Sequence, residues 1–201
     1  MQTSKLIVFE GMPGAGKTTL VNRLTERNNL PGCFAIEQLT LRQDLVENLE
    51  TSIEYIDAEL ERIKRAQQEA PRRSTLLFDR SALTTLAFRY AKSTMAGENN
   101  EYQELLKYLT AKIADLDIRP NLLILFDVSI EESMNRRRDF SENPLNKTWF
   151  NKEFLSVLQG FYRNLIPEIC IAHNNVCIDT TRLSIDQVAE NAELIINLTN
   201  G

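Results

Sequence analysis

The feature that most constrains this chain is a glycine-rich segment near its start, Gly11 to Thr18, which reads GMPGAGKT. It fits the phosphate-binding loop pattern G-x-x-x-x-G-K-[ST] at every fixed position. Gly14 and Gly16 permit backbone turns that bring N–H groups close to phosphate oxygens. The segment follows a β-branched and aromatic run, Leu6 to Phe9, and precedes a helical pattern. This strand–loop–helix context predicts a nucleoside triphosphate site.

The residue types within the loop indicate how it binds its ligand. Lys17 reaches the β- and γ-phosphates, and the Thr18 hydroxyl is placed to bind magnesium. A helix that begins near Lys17 adds its positive N-terminus beneath the same anion. We therefore expect ATP and Mg²⁺ as cofactors. The residues expected to hold them here are Gly11, Met12, Pro13, Gly14, Ala15, Gly16, Lys17, Thr18 and Thr19.

Composition narrows the class of protein. A chain of 201 residues with 43% hydrophobic and 25% charged residues is suited to one α/β domain, residues 1–201. The formal net charge of −5 gives no general attraction to nucleic acid or to an anionic membrane. A single histidine argues against a histidine metal centre or a Ser-His-Asp triad. Because the first strand starts a few residues after Met1, we expect no signal peptide and a cytoplasmic protein.

Short apolar runs alternate with helical patterns along the chain. Such alternation predicts a doubly wound, five-stranded parallel sheet, the α/β fold of the P-loop NTPases. The predicted strands are 6–9, 33–36, 74–79, 122–127 and 176–179. The predicted helices after the phosphate loop are 41–70, ended by Pro71, and 82–90, 101–116, 130–134, 149–169 and 184–198. The helical region 41–70 is expected to shape either the substrate pocket or a homodimer interface.

Acidic and basic residues stand where predicted strands end, which is the edge at which parallel sheets bind ligands. Asp79 is expected to bind magnesium and Arg80 to hold a phosphate, unless Asp79 only caps the next helix and Arg80 forms a surface ion pair. Glu37 is expected to act as general base or to orient the acceptor, or else is a partly exposed glutamate. Arg42 either grips an anionic substrate or is a helix-surface charge. Asp127 is interpreted as structural.

Three consecutive arginines, Arg136, Arg137 and Arg138, precede a polar stretch and predict a short lid over about residues 136–150. Phosphoryl transfer needs positive charge near the γ-phosphate as water leaves. Three neighbours cannot all face one way on a helix, so one or two are expected to reach the site. The alternative is a solvated cluster that pairs with Glu131 and Glu132. The Arg62/Lys64/Arg65 run is interpreted as a solvated helix face.

The run from Phe9 to Thr19 resembles the opening of thymidylate kinases and their relatives. Asp79-Arg80-Ser81, the apolar strand 122–128, the arginine-rich lid and the strand end at 178–181 are similar to the same superfamily. The resemblance implies a P-loop kinase of the nucleoside or nucleotide type. It also implies that Arg80 and the lid arginines bind phosphate and that the loop 180–182, with Thr181 and Arg182, lies near the adenine.

The segment Ile36 to Thr40, IEQLT, departs from both branches of this superfamily. Thymidylate kinases carry an Arg-Glu-Pro-Gly-Gly-like segment there and deoxynucleoside kinases a Glu-Pro. The acceptor is therefore left open among a nucleoside monophosphate, a deoxynucleoside and a non-nucleotide small molecule. A regulatory nucleotide-binding protein without transfer activity is the further alternative. A GTPase switch is excluded, because Asp79 starts DRSA rather than D-x-x-G and Asn146 starts NKTW rather than N-K-x-D.

Overall fold

The computed structural model describes residues 4–26, 32–36, 48–72, 74–98, 100–138, 144–169 and 171–199. Five parallel strands form one sheet in the order β2-β3-β1-β4-β5. The strands are β1 Lys5–Gly11, β2 Cys33–Ile36, β3 Thr75–Asp79, β4 Leu122–Asp127 and β5 Asn174–Asp179. All five predicted strands and their parallel arrangement are therefore confirmed.

Helices connect the strands, as parallel pairing requires. They are α1 Lys17–Glu26, α2 Leu49–Glu69, α3 Ala82–Ala96, α4 Asn100–Leu116, α5 Ile130–Arg136, α6 Lys152–Gly160 and α7 Ile185–Leu198. A 3₁₀ segment, Pro144–Phe150, precedes α6, and a π-helical turn, Phe161–Leu165, follows it. None of the helices in the described part of the chain is long and apolar enough to cross a membrane.

Local side chains set the ends of these helices. The Asn48 side chain accepts the N–H of Thr51, whose hydroxyl lies near the Asn48 N–H, so the two form a capping box at the start of α2. Ala70 ends α2 in an extended conformation, as expected for the residue before Pro71. Gly97 ends α3 in the left-handed conformation, φ 74°. The helix predicted over residues 82–90 therefore extends to Ala96, because the residue that ends it is Gly97.

The helix predicted over residues 149–169 is wrong in its extent. Asn151 accepts the N–H groups of Glu153 and Phe154 with its side chain, so the α-helix begins at Lys152. Its regular part ends at Gly160, after which the backbone widens into the π-helical turn. The apolar periodicity agrees with the structure, since Phe154 and Phe161 are both fully buried. Such periodicity identifies the buried face of a helix, but it does not show that Asn151 caps the helix within the predicted range.

The core lies on both faces of the sheet and includes the interior strand β4, which lies next to the middle strand β1. Every residue of β4 is buried, as expected for an interior parallel strand. On one side β4 pairs with β1, placing Ile124 beside Phe9, and on the other it pairs with β5. β1 in turn pairs with β3, so that Phe9 also lies beside Asp79. The carboxyl ends of β3, β1 and β4 therefore meet at one edge.

This packing predicts that Ile124→Ala destabilises the fold by about 2–5 kcal/mol, because Ile124 is fully buried and its truncation leaves a cavity. Urea denaturation should show a lower midpoint with an unchanged slope. Leu194→Ala is the matched control, since this α7 side chain is 60% exposed and its loss should cost about 0.5 kcal/mol or less. Equal losses for the two variants would contradict the burial described here.

Candidate active site

The phosphate loop leaves β1 through a close approach to β4. Gly11 has φ 125°, and a Cβ built on it would lie 2.1 Å from the Phe126 carbonyl oxygen. The next residue, Met12, donates its N–H to that same oxygen at 2.9 Å. Further along, the buried Ser133 hydroxyl donates to the Pro13 carbonyl at 2.7 Å. The start of the loop is thus anchored to β4 and α5, which fixes where its remaining N–H groups lie.

Lys17 is the first residue of α1 and is almost completely buried, with 4% of its surface exposed. Its ammonium group donates to the carbonyls of Gly11 at 2.9 Å and Met12 at 2.8 Å. Burial lowers the pKa of Lys17 well below its usual value and the nearby Arg80 lowers it further, while Glu10 and other acids oppose the shift. A buried ammonium group beside another cation favours an anionic ligand in the space between them.

Thr18 and Asp79 come together as predicted for a magnesium site. The Thr18 hydroxyl donates to Asp79 Oδ2 at 2.5 Å, although the two residues are 61 positions apart. The other carboxylate oxygen, Asp79 Oδ1, is buried and has no hydrogen-bond partner among the described residues. A buried acceptor of this kind is costly unless a ligand satisfies it. An oxygen pair of hydroxyl and carboxylate fits the ligand preference of magnesium.

Arg80, directly after β3, has an unusual backbone. Its φ of 68° lies in the left-handed region, which costs an arginine about 1–2 kcal/mol relative to a right-handed conformation. Its guanidinium lines the phosphate-loop cavity and lies close enough to lower the pKa of both Lys17 and Arg137. The prediction that this arginine faces the phosphates agrees with that placement. Ser81 starts α3 as its N-cap, so Asp79 is not the cap of that helix.

Glu10 is a buried acid of the site that the sequence analysis did not identify. Its carboxylate is fully buried between β1 and the start of α3. Glu10 Oε1 accepts the Ser81 N–H at 2.7 Å and the Ser81 hydroxyl at 2.9 Å, and Oε2 accepts the Thr84 hydroxyl at 2.9 Å. The sequence does carry a signal for Glu10, because it is a charged residue next to an apolar strand run. A buried charge must find hydrogen-bond partners.

The three lid arginines have three different environments. Arg137 is half-buried, stacks over the Phe150 ring at 4.8 Å, and donates to the Trp149 carbonyl at 2.8 Å. Burial lowers its pKa to about 10 and Arg80 contributes, so Arg137 remains a cation at neutral pH. It lines the same cavity as Lys17 and Arg80. Arg138 is exposed, donates to Asn135, and does not line that cavity in the described structure.

Arg136 also lines the phosphate-loop cavity, and its guanidinium connects two loops. Its Nη2 donates to the Thr180 carbonyl at 2.8 Å and approaches the Thr181 carbonyl at 3.4 Å. Its Nη1 lies 3.4 Å from the Gly14 carbonyl, and its Nε donates to Glu132 at 2.8 Å. The pairing with Glu132 was the predicted alternative role for this cluster. These bonds hold the loop after β5 against the phosphate loop.

The cavity that these groups line has a volume of about 590 Å³, within the range that holds a small-molecule ligand. One part of it is apolar and was not predicted from the sequence: it consists of Leu183, Ile185 and Val188, which follow β5 and begin α7. Thr181 stands next to this wall, and its hydroxyl accepts the Ser129 N–H at 2.9 Å. Arg182 is exposed and does not line the cavity among the described residues.

Two predicted site residues, Glu37 and Arg42, lie outside the described residues, as does part of the predicted lid, 139–143. Their roles stay predictions.

The interpretation of Arg62 as a solvated residue is wrong. Its side chain is only 10% exposed and is paired with the buried Glu59, whereas Lys64 is exposed as predicted. Helical spacing allows this i,i+3 pair, but it cannot show the bonds of Arg62 to the carbonyls of Ile36 and Arg80 at two strand ends.

Comparison with known proteins agrees with this geometry. A family model described as an AAA domain matches residues 6–167. The chain is 26% identical over 200 residues to a probable thymidylate kinase of Methanocaldococcus jannaschii, covering 94% of this chain and 93% of that protein. It is 33% identical over 181 residues to the thymidylate kinase of Prochlorococcus marinus strain NATL2A, covering 78% and 82%. A deoxyadenosine kinase from M. mycoides solved with bound dATP superposes with a TM-score of 0.71 at 16% identity, covering 98% of this chain and 100% of that one.

The contact between Gly11 and β4 predicts that Gly11→Ala lowers the free energy of unfolding by about 2–5 kcal/mol, because the methyl group would collide with the Phe126 backbone. Gly97→Ala is the matched control. Its φ of 74° is also positive, but a methyl group there meets nothing within 4 Å, so only the backbone cost of about 1 kcal/mol applies. Chemical denaturation of both variants measures the difference. Similar losses would show that the close approach is not rigid.

Proposed function

This chain belongs to the superfamily of P-loop phosphotransferases that contains the thymidylate and deoxynucleoside kinases, and we propose that it transfers the γ-phosphoryl group of ATP to a nucleoside monophosphate. The observation that carries the proposal is the convergence of Lys17, Arg80 and Arg137 on one cavity, beside the Thr18–Asp79 pair. Burial and the nearby Arg80 lower the pKa of Lys17 and of Arg137, and cations this close together favour a polyanion between them. ATP is the polyanion that the phosphate-loop pattern indicates.

On the donor side, the loop N–H groups and Lys17 would hold the β- and γ-phosphates. The adenine would lie against the apolar wall of Leu183, Ile185 and Val188, next to Thr181. Thr18 and Asp79 would hold magnesium, which supplies positive charge to the phosphate oxygens when bound. Arg136 would keep the adenine side aligned with the phosphate side, because it bonds to loops from both.

In the transfer step, an acceptor oxygen forms a bond to the γ-phosphorus as the bond to the β–γ bridging oxygen breaks, which releases ADP. Arg80 and Arg137 would stabilise the charge that spreads over the transferring group. Glu37 is proposed to take the hydroxyl proton where the acceptor is a deoxynucleoside, or to orient the acceptor where its attacking group is an ionised phosphate, and Arg42 is proposed to bind an anionic part of the acceptor. The segment 136–150 would act as the lid over the donor, excluding water.

The acceptor proposed first is a nucleoside monophosphate of the thymidylate type, because the sequence relatives named above are thymidylate kinases. A deoxynucleoside is the second candidate, favoured by the fold match to a deoxyadenosine kinase. The proposal includes one domain over residues 1–201 that acts in the cytoplasm on small molecules rather than on nucleic acid. The helical region 41–70 would lie on the acceptor side or in a homodimer interface.

The decisive test is ADP formation from Mg-ATP with a panel of nucleoside monophosphates, deoxynucleosides and unrelated hydroxyl compounds. We expect turnover with thymidylate-type monophosphates, and a loss of about 10³-fold or more in kcat for Lys17→Ala, which removes the central cation of the site. Turnover only with deoxynucleosides would select the second acceptor class. ATP binding with slow, acceptor-independent hydrolysis would instead identify a regulatory nucleotide-binding protein.

The lid cation can be tested separately. We expect Arg137→Met to lower kcat by about 10²–10³-fold, because Arg137 is a half-buried lid cation that lines the cavity close to Arg80, with a smaller effect on the KM for the acceptor. Lys147→Met is the control, since Lys147 is an exposed cation of the same segment. Steady-state kinetics on both variants measures the contrast. An equal loss of kcat in the control would show that the overall positive charge of the segment accounts for the effect, and not the position of Arg137.

A further inference from the structure

The peptide group between Arg80 and Ser81 is bound on both of its polar atoms by buried charged side chains. Its carbonyl oxygen accepts Nη2 of Arg62 at 2.9 Å. Its N–H donates to Glu10 Oε1 at 2.7 Å. The preceding N–H, that of Arg80, donates to the Phe9 carbonyl at 3.0 Å. Three consecutive polar groups of the backbone are therefore fixed around the residue whose φ is 68°.

Arg62 reaches this peptide from the middle of α2. Its guanidinium bonds to Glu59 at 2.5 and 3.0 Å and lies over the Phe78 ring, with 5.0 Å from Cζ to the ring centroid. It also donates to the Ile36 carbonyl at 3.3 Å. A planar donor held by a buried carboxylate and an aromatic face has little freedom. Arg62 therefore joins the end of β2 to the end of β3 with a rigid link.

Glu10 holds the same region from the sheet. In addition to the Ser81 N–H, its carboxylate accepts the Ser81 and Thr84 hydroxyls. The Thr84 oxygen also lies 3.5 Å from Nη1 of Arg80. A chain of bonds thus runs from the Arg80 guanidinium through Thr84 to Glu10. Tyr162, whose pKa burial raises far above its usual value, places its neutral hydroxyl 3.4 Å from the same carboxylate.

We propose that Glu10 and Arg62 are positioning residues that clamp the Arg80–Ser81 peptide and so aim the Arg80 guanidinium at the transferring phosphate. An arginine without these bonds relaxes to a right-handed or extended conformation, because the left-handed one is strained. Rotation about φ would carry the side chain away from Lys17 and Arg137. Neither Glu10 nor Arg62 needs to touch a substrate for this role. The proposal rests on the phosphate-binding role proposed above for Arg80.

The test is a double-mutant cycle between the clamp and Arg80. Removing Arg62 alone would leave Glu59 as an unpaired buried charge, so the clamp variant is Glu59→Gln with Arg62→Met. Glu59→Gln alone is its reference, because it keeps the donor to the Arg80 carbonyl. Glu59→Gln with Arg80→Met is the second arm, and the triple variant closes the cycle in the Glu59→Gln background. Lys64→Met is the surface control, because the Lys64 side chain is 44% exposed and lies 3.9 Å from the exposed Glu61 of the same helix.

With Mg-ATP and the acceptor identified by the panel, we expect the clamp variant to lower kcat by about 10²-fold relative to Glu59→Gln, as misplacement of a catalytic group does. In the Arg80→Met background the same change should lower kcat by less than about threefold, because the clamp acts through Arg80. Glu10→Gln retains one acceptor oxygen and should keep more activity than Glu10→Leu. Thermal melting reports whether each variant folds.

A multiplicative loss in the triple variant would overturn the proposal, since the clamp would then act independently of Arg80. Unchanged kcat in the folded clamp variant would overturn it as well. Failure of the proposed function looks different, because the wild-type protein then forms no ADP with any acceptor. In that case the same cycle is measured by calorimetry with inorganic tripolyphosphate. The clamp is supported if the clamp variant and the Arg80→Met variant lose tripolyphosphate affinity equally and the triple variant loses no more. It is refuted if the two losses add, or if Arg80→Met has no effect.

Discussion

The structure depends on a balance of buried charge at the carboxyl edge of the sheet. Glu10 and Glu59 are buried acids: Glu10 accepts hydrogen bonds from Ser81 and Thr84 at the start of α3, and Glu59 pairs with Arg62 of its own helix. Burial raises the pKa of Glu59, and the charge and hydrogen bonds of Arg62 oppose that shift. An ionised group in this environment is tolerated only when paired. The end of β1, the middle of α2 and the start of α3 are therefore fixed relative to one another.

The cations of the cavity are less completely balanced than the acids behind them. Lys17 is bonded to two neutral carbonyls, and Arg137 to the carbonyls of Ser133 and Trp149, the Ser133 hydroxyl and an aromatic face, all of them uncharged. Both have pKa values lowered by burial and by Arg80. The protein thus satisfies its acids internally and presents positive charge to the cavity. This asymmetry is the physical basis of a phosphate site, because a bound polyanion removes the repulsion that the fold alone leaves in place.

The sequence was sufficient for what depends on neighbours along the chain. The phosphate loop, the five strands and the placement of Asp79 and Arg80 at a strand end follow from spacing and from the geometry of parallel sheets. It was insufficient where partners lie far apart in the chain. Arg62 has the pattern of a surface residue, and it is buried by contacts with Ile36, Phe78 and Arg80, which are distant in the chain. The roles of three adjacent lid arginines differ for the same reason, since each meets a different element.

The strained backbone of Arg80 shows how the carboxyl edge of the sheet holds a side chain in one position. A left-handed arginine is unfavourable in isolation, and the fold keeps it because bonds to Phe9, Arg62 and Glu10 fix every polar group around it. Those bonds come from β1 and α2, and α2 also bonds to Ile36, the last residue of β2. The position of the Arg80 guanidinium is thereby coupled to the packing of α2. If α2 lies on the acceptor side, as proposed, an acceptor that shifts α2 would also shift Arg80, and acceptor choice and phosphoryl transfer would share one connection.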